Sequence, residues 1–130
     1  MIVVDASVFV PMMIAGAIPE SIRRRQPVGP PLLWSETVSA LRRLVWRGHP
    51  SAADAQAAVE RLKLTDIDRK LPPELYSDAT RVAIELGWAR TYDAEYVALA
   101  RLLNIPLLTR DERLRRGAVR LVQILRPLDL

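Results

Sequence analysis

The sequence of 130 residues predicts an α/β fold: a three-layer α/β/α sandwich around a short, mainly parallel sheet of four to five strands, in a single domain over residues 1–130. Three observations predict it. Ile2-Val3-Val4 is apolar without alternation, the pattern of a strand covered by helices on both faces. Ile105-Pro106-Leu107-Leu108-Thr109 is a second run of that kind. Between them lie segments with helical apolar spacing, so the order reads strand, helices, strand, helices, strand, helix, strand.

The elements follow from local signals. After Asp5, Ser7 to about Ala15 forms a short helix capped by Ser7 and ended by Gly16. Ile18 to Arg25 reads as a second short helix, and Gln26 to Pro31 as a Pro/Gly linker. Leu32 to Arg47 is the first long helix, stopped by Gly48; Leu33, Ala40 and Leu44 share a face with Thr37 and Leu41 beside them. Ser51 caps a helix through about Leu62, with Ala55, Val59 and Leu62 inward. Leu64 to Ile67 is a weak strand signal. Pro72-Pro73 opens a helix to Leu86, with Leu75, Ala79, Val82, Ala83 and Leu86 on one side and Gly87 after it. Trp88 to Tyr92 connects to a helix headed by Asp93, running from Ala94 to Leu103 with Val97, Ala100 and Leu103 inward. Asp111 to about Arg116 is a short helix stopped at Gly117, and Val119 to Leu125 is the last strand.

Composition narrows the chemistry. There is no cysteine, which excludes disulfides, thiolate zinc sites and cysteine nucleophiles. The one histidine, His49, sits between Gly48 and Pro50 in a predicted loop, a poor place for a triad or a metal ligand. Catalysis therefore falls to carboxylates, hydroxyls, arginines or a metal held by oxygen, and oxygen-only sites favour Mg²⁺ or Mn²⁺. The net charge is +4, and only Lys63 and Lys70 are lysines; arginine's planar fork suits phosphate. No apolar run approaches the ~18 residues of a bilayer span, and no basic segment precedes the first strand. The expectation is a soluble, cytoplasmic protein without a membrane partner.

Four carboxylates stand out. Asp5 and Asp111 follow apolar strands, Asp93 opens a helix, and Glu36 interrupts an apolar helix face, where a charge is costly without a partner. In a parallel sheet the strand ends and the starts of the following helices lie on one edge. Asp5, Asp93 and Asp111 can converge there, and Glu36 can join from the first turns of its helix. Such like charges repel unless a divalent cation sits among them, and acids with Mg²⁺ fit metal-assisted phosphodiester hydrolysis. Singly, each acid also reads as a helix cap or an arginine partner. Glu95 and Glu112, beside Asp93 and Asp111, rank as auxiliary acids.

The motifs Val3-Val4-Asp5-Ala6-Ser7, Ser35-Glu36, Tyr92-Asp93-Ala94-Glu95-Tyr96-Val97-Ala98-Leu99-Ala100 and Leu107-Leu108-Thr109-Arg110-Asp111-Glu112-Arg113-Leu114 resemble the four motifs of PIN-domain proteins. Length and spacing are similar to the VapC toxins of type II toxin–antitoxin pairs. The resemblance implies a PIN-like fold and a toxin that is an Mg²⁺- or Mn²⁺-dependent endoribonuclease. Asp5, Glu36, Asp93 and Asp111 would be its acidic metal-binding and catalytic set, with Ser7 and Thr109 as supporting hydroxyls. It further implies a homodimer and a cognate antitoxin that covers the site. Between Glu36 and Asp93 no motif matches.

Arg23, Arg24, Arg25, Arg42, Arg43 and Arg110 are the arginines expected to bind RNA phosphates. Trp34, Trp46 and Trp88 are either base-stacking platforms or core and dimer contacts; Trp34 and Trp46 share one helix, which suits a subunit interface. Two other classes compete. A HAD-type phosphatase needs a second aspartate two residues after the first, where this chain has Ser7. A non-catalytic PIN-like scaffold that binds a protein predicts no metal-dependent activity. A Rossmann nucleotide site is disfavoured because no Gly-rich loop follows the first strand.

Overall fold

The computed structural model describes residues 1–48 and 51–130. His49, and with it the reading of His49 as a loop residue, lies outside the described residues. Among the described residues five parallel strands form one sheet: β1 (Ile2–Val4), β2 (Pro27–Gly29), β3 (Asp68–Arg69), β4 (Leu107–Leu108) and β5 (Ile124–Leu125), in the order β3-β2-β1-β4-β5. The described residues include seven α-helices that connect them: α1 (Ala6–Ala15), α2 (Glu20–Arg23), α3 (Leu32–Trp46), α4 (Ala52–Leu62), α5 (Leu75–Leu86), α6 (Tyr92–Leu103) and α7 (Glu112–Ala118). A single 3₁₀ turn, Pro127–Asp129, follows β5.

Chain order explains the layers. From β1 to β3 the chain steps one way across the sheet, then returns past β1 to β4 and continues to β5. Right-handed crossovers therefore carry α1–α4 over one face and α5–α7 over the other. The packing agrees: α1 packs on α3 and α4, α5 packs on α6, and α6 lies on β1 and β4. Ile2, Val3, Val4, Leu107 and Leu108 are fully buried, as expected for strands covered on both faces. The direction of winding reverses between β1 and β4, which is the topological switch point where α/β sheets open a crevice at the carboxyl ends of their strands.

Local readings shift in instructive places. The Gln26–Pro31 stretch contains β2, paired in register with β1 (Ile2 with Pro27, Val3 with Val28) and with β3. Pro27 is tolerated because it is the first residue of its strand. The strand expected over Leu64–Ile67 falls instead at Asp68–Arg69, a polar pair on the sheet edge. The last strand is only Ile124–Leu125. Asp5, not Ser7, caps α1: its side chain accepts the Val8 N–H, and α1 ends at Gly16 with φ +76°. Gly117 does not stop α7 but lies within it, where a Cβ would come within 2.9 Å of the Trp88 ring. That glycine serves close packing, not termination.

Candidate active site

Asp5 stands at the switch point, directly after β1, and neither it nor Asp111 is among the residues that line the open cleft described below. It leaves β1, is only 5% exposed, and sits between two hydroxyls. Ser7 Oγ donates to its Oδ1 at 2.5 Å, and Thr109 Oγ1, just past β4, donates to its Oδ2 at 2.5 Å. Both hydroxyls also accept backbone N–H groups, Ser7 from Arg110 at 2.8 Å and Thr109 from Asp111 at 3.0 Å. Residues from the two central strand ends are thus tied through one carboxylate. Burial pushes the Asp5 carboxyl up to about 6; the hydroxyls and the Val8 N–H oppose this, and the Asp111 charge adds to it.

The other acids extend from this point as a series of neighbours, Asp111 beside Asp5, Asp93 beside Asp111 and Glu36 beside Asp93. Asp111 caps α7, accepting the N–H groups of Arg113 and Leu114 through Oδ1 at 2.9 and 3.2 Å. Asp93 is the second residue of α6, which begins at Tyr92 rather than Ala94, so Asp93 lies in the first turn instead of capping it. Half-buried, it is raised above its ordinary value by desolvation and by Asp111, with Arg113 opposing. Glu36, in the second turn of α3, accepts a hydrogen bond from the Tyr96 hydroxyl at 2.7 Å. Desolvation raises Glu36, Asp93 adds to this, and Tyr96 and Arg43 oppose it. Glu95 is buried beside Glu36 and raised by desolvation and by that neighbour. Glu112, by contrast, is exposed and paired with Arg115 at 3.2 Å.

An open cleft of about 900 Å³ holds Glu36 and Asp93 together with Ser35, Ser39 and Arg43 of α3, and with Arg90 and Arg113. The ion pairs among the described residues engage Glu20, Glu60, Asp66, Asp68, Asp78, Glu85, Glu112 and Asp129; none engages Asp5, Glu36, Asp93 or Asp111. Among the described residues no three acids or histidines reach one direct ligation point.

Of the arginines singled out from sequence, Arg43 lines this cleft and Arg110 presents its backbone N–H to Ser7. Arg42, one residue before Arg43 on α3, does not line the cleft but a smaller cavity at the end of that helix. Arg25 is exposed after α2. Arg23 and Arg24 pair with Glu20 and Asp66, and Arg23 lines a separate cavity with Met1 and Pro27 at the opposite, amino-terminal end of the strands. Sequence reading missed Arg90 and Arg113, which nothing distinguishes from other arginines along the chain. It also missed the Tyr96 hydroxyl, whose signal is a phenol heading the buried apolar run Tyr96–Ala100 of α6. The tryptophans part company: Trp34 stacks edge-on to Phe9 (5.9 Å) beneath Arg69, Trp88 lines the cleft, and Trp46 is 82% exposed.

A five-stranded, all-parallel α/β domain with helices on both faces and acids near the carboxyl ends of its central strands defines the class of fold. Its family is more specific: the PIN domain model matches residues 2–119, and the chain belongs to the PIN-domain family. It is 36% identical over 115 residues to the VapC ribonuclease Mb0985 of Mycobacterium bovis, covering 88% of each chain. It is 38% identical over 110 residues to ribonuclease VapC1 of Mycobacterium tuberculosis, covering 79% of this chain and 73% of that one. Among solved structures, PAE2754 from Pyrobaculum aerophilum superposes with a TM-score of 0.73 at 22% identity, over 95% of this chain and 87% of that one. The last likeness is one of fold.

Proposed function

We propose that the protein is a VapC-type toxin: a divalent-metal-dependent endoribonuclease working at the carboxyl edge of its sheet, in the cytoplasm, and restrained by an antitoxin that covers the site. The observation that carries this reading is the set of four acids around the switch point with no cation paired to them. Three of them, Asp5, Glu36 and Asp93, are raised by burial, with neighbouring acids adding to it. An arrangement that unfavourable is relieved by a bound divalent cation. The kinship to VapC ribonucleases supports RNA as the substrate.

The donor set fits a hard cation. All of its groups are oxygen donors, as Mg²⁺ and Mn²⁺ prefer. Mg²⁺ keeps several waters and takes one or two carboxylates directly, which suits acids that do not meet at one point and of which Glu36 and Asp93 line the cleft. Asp5, Glu36, Asp93 and Asp111 would hold it, and it would supply Lewis-acid activation of water and of the scissile phosphate. The chain's own groups do the rest. Ser7 and Thr109 orient Asp5, Tyr96 orients Glu36, and Arg43, Arg90 and Arg113 bind flanking phosphates of the strand. Ser35 and Ser39 offer hydroxyls along the same wall.

The test is cleavage of RNA by the purified protein with Mg²⁺, against Asp5→Asn and Asp93→Asn variants that keep the wild-type fold by circular dichroism. Loss of cleavage in both variants is expected. Undiminished cleavage in both overturns the assignment.

A further inference from the structure

The carboxyl-terminal turns of α3 carry a feature that the acidic cleft does not use. Arg42, Arg43, Trp46 and Arg47 enclose a shallow cavity of about 300 Å³, separate from the cleft but sharing Arg43 with it. Trp46 is 82% exposed, and the Arg42 guanidinium lies over its ring at 5.8 Å. No acidic residue occurs from Thr37 to Ala53, and none of the ion pairs among the described residues engages Arg42, Arg43 or Arg47. A helix carboxyl terminus favours cations, which accounts for arginines here but not for an exposed indole among them.

Helical geometry joins the two places. Ser35, Glu36, Ser39 and Arg43 follow one another at spacings of one, three and four, so they form one polar wall of α3 inside the cleft. Trp46 and Arg47 lie three and four residues beyond Arg43 and continue that wall. Glu36 to Trp46 spans ten residues, about 15 Å along the helix. The track therefore runs from the acids, through Arg43, to a flat aromatic surface bordered by guanidinium groups.

We propose that Arg42, Arg43, Trp46 and Arg47 form a docking site for single-stranded RNA leaving the acidic cleft, with Trp46 stacking on an unpaired base and the arginines holding the phosphates on either side. The inference rests on the ribonuclease reading above and adds a strand preference to it. An aromatic face among arginines is how unpaired strands are held without sequence readout, because every base has a π-face. A duplex hides those faces and gains only from the charges. A protein partner is the competing occupant, but this patch offers one indole amid positive charge rather than a contiguous apolar surface.

The experiment measures binding of a short fluorescent single-stranded oligoribonucleotide, and of the same sequence as a duplex, to full-length Asp93→Asn protein with Mg²⁺, so that the strand is not cut. Trp46→Ala is expected to weaken single-strand binding about tenfold or more while duplex binding changes less than about twofold. Trp46→Phe should recover most of the loss. Arg43→Gln and Arg47→Gln should each lower the salt dependence of binding by about one counterion for both probes. Because Trp46 is so exposed, its removal should leave the melting temperature unchanged. Single-strand affinity within about twofold of the parent in Trp46→Ala overturns the proposal. So does a loss confined to antitoxin binding or to dimer mass in sedimentation, which would make the patch a protein interface. If wild-type protein cleaves RNA while Trp46→Ala binds normally, only the docking site fails; if wild-type protein neither binds nor cleaves RNA, the ribonuclease reading fails with it.

Discussion

Asp5 and Asp78 are both nearly fully buried carboxylates, at 5% and 6% exposure, and the chain treats them in opposite ways. Asp78, on α5, is met by a fork from α6: Arg101 donates from Nη2 at 2.9 Å and from Nε at 3.2 Å, and Arg81 approaches at 3.8 Å. That bidentate pair joins two packed helices and holds the Arg101 guanidinium above its ordinary value. Asp5 receives only neutral donors, and its nearest charged influence is another acid, Asp111. A buried acid neutralised from within the fold is a fastener. On the proposed reading, a buried acid left charged among acids is one that a cation from outside would neutralise.

The comparison breaks first on activity. Asp5→Asn and Asp93→Asn should lower Mg²⁺-dependent RNA cleavage by about 100-fold or more, since residues that only orient metal ligands already contribute about 10- to 100-fold. Asp78→Asn, remote from the cleft, should keep cleavage within a few-fold of wild type when assayed below its melting temperature. Equal losses in all three would mean that burial, not position, matters, and the assignment of Asp5 and Asp93 to the catalytic set would fail.

It sharpens next on stability. The Asp5 carboxyl titrates near 6 when folded and near 3.8 when unfolded, so the native state binds its proton more tightly. Its contribution is therefore fully present below about pH 4 and is lost as pH rises through 6, a penalty of up to about 3 kcal/mol at neutral pH in metal-free protein. Asp5→Asn removes that penalty. Its amide can accept from Ser7 and donate to Thr109, whose own proton can turn to Ser7 Oγ, 3.3 Å away. The inactive variant should thus melt several degrees above wild type at pH 7 in EDTA, and the gap should close by pH 4. Added Mg²⁺ should raise the wild-type melting temperature more than that of Asp5→Asn. Asp78→Ala should do the reverse of Asp5→Asn, losing about 2 kcal/mol at pH 7, because it takes the bidentate partner from Arg101 and leaves it only Glu85 at 3.5 Å; that guanidinium is partly solvated, so the loss falls short of a fully buried pair.

Much of this contrast is legible in the chain and some is not. The strand runs around Val3 and Leu107, the long helices and the positions of Asp5 and Asp111 after their strands follow from periodicity and from where α/β sheets place their chemistry. β2 was invisible because three residues containing a proline and a glycine become a strand only when β1 and β3 lie alongside. β3 was misplaced because an edge strand of Asp68 and Arg69 carries no apolar signature. The pairing of Asp78 with Arg101 was equally hidden, since the two are brought together by the turn between α5 and α6 rather than by spacing on one helix. Glu36 could be named as an acid on an apolar face, but its hydrogen-bond donor, Tyr96, lies sixty residues away.

That donor gives the smallest and most discriminating effect. Tyr96 is buried to 1% exposure, and its hydroxyl is held in the protonated form by burial and by the Glu36 charge. Its ring belongs to the core; its oxygen belongs to the rim. Tyr96→Phe keeps the ring and deletes only the hydrogen bond to Glu36 Oε1, so its stability cost should stay near 1 kcal/mol. If Glu36 must be aimed to help hold a cation, the same deletion should raise the Mg²⁺ concentration for half-maximal cleavage by roughly tenfold. Cleavage at saturating Mg²⁺ should then recover most of its wild-type rate. A hydrogen bond that only knits α3 to α6 would lower the melting temperature alike and leave the Mg²⁺ requirement where it was. The shift of that titration, set against an unshifted one in Asp78→Asn, separates an acid positioned for a ligand from an acid positioned for the fold.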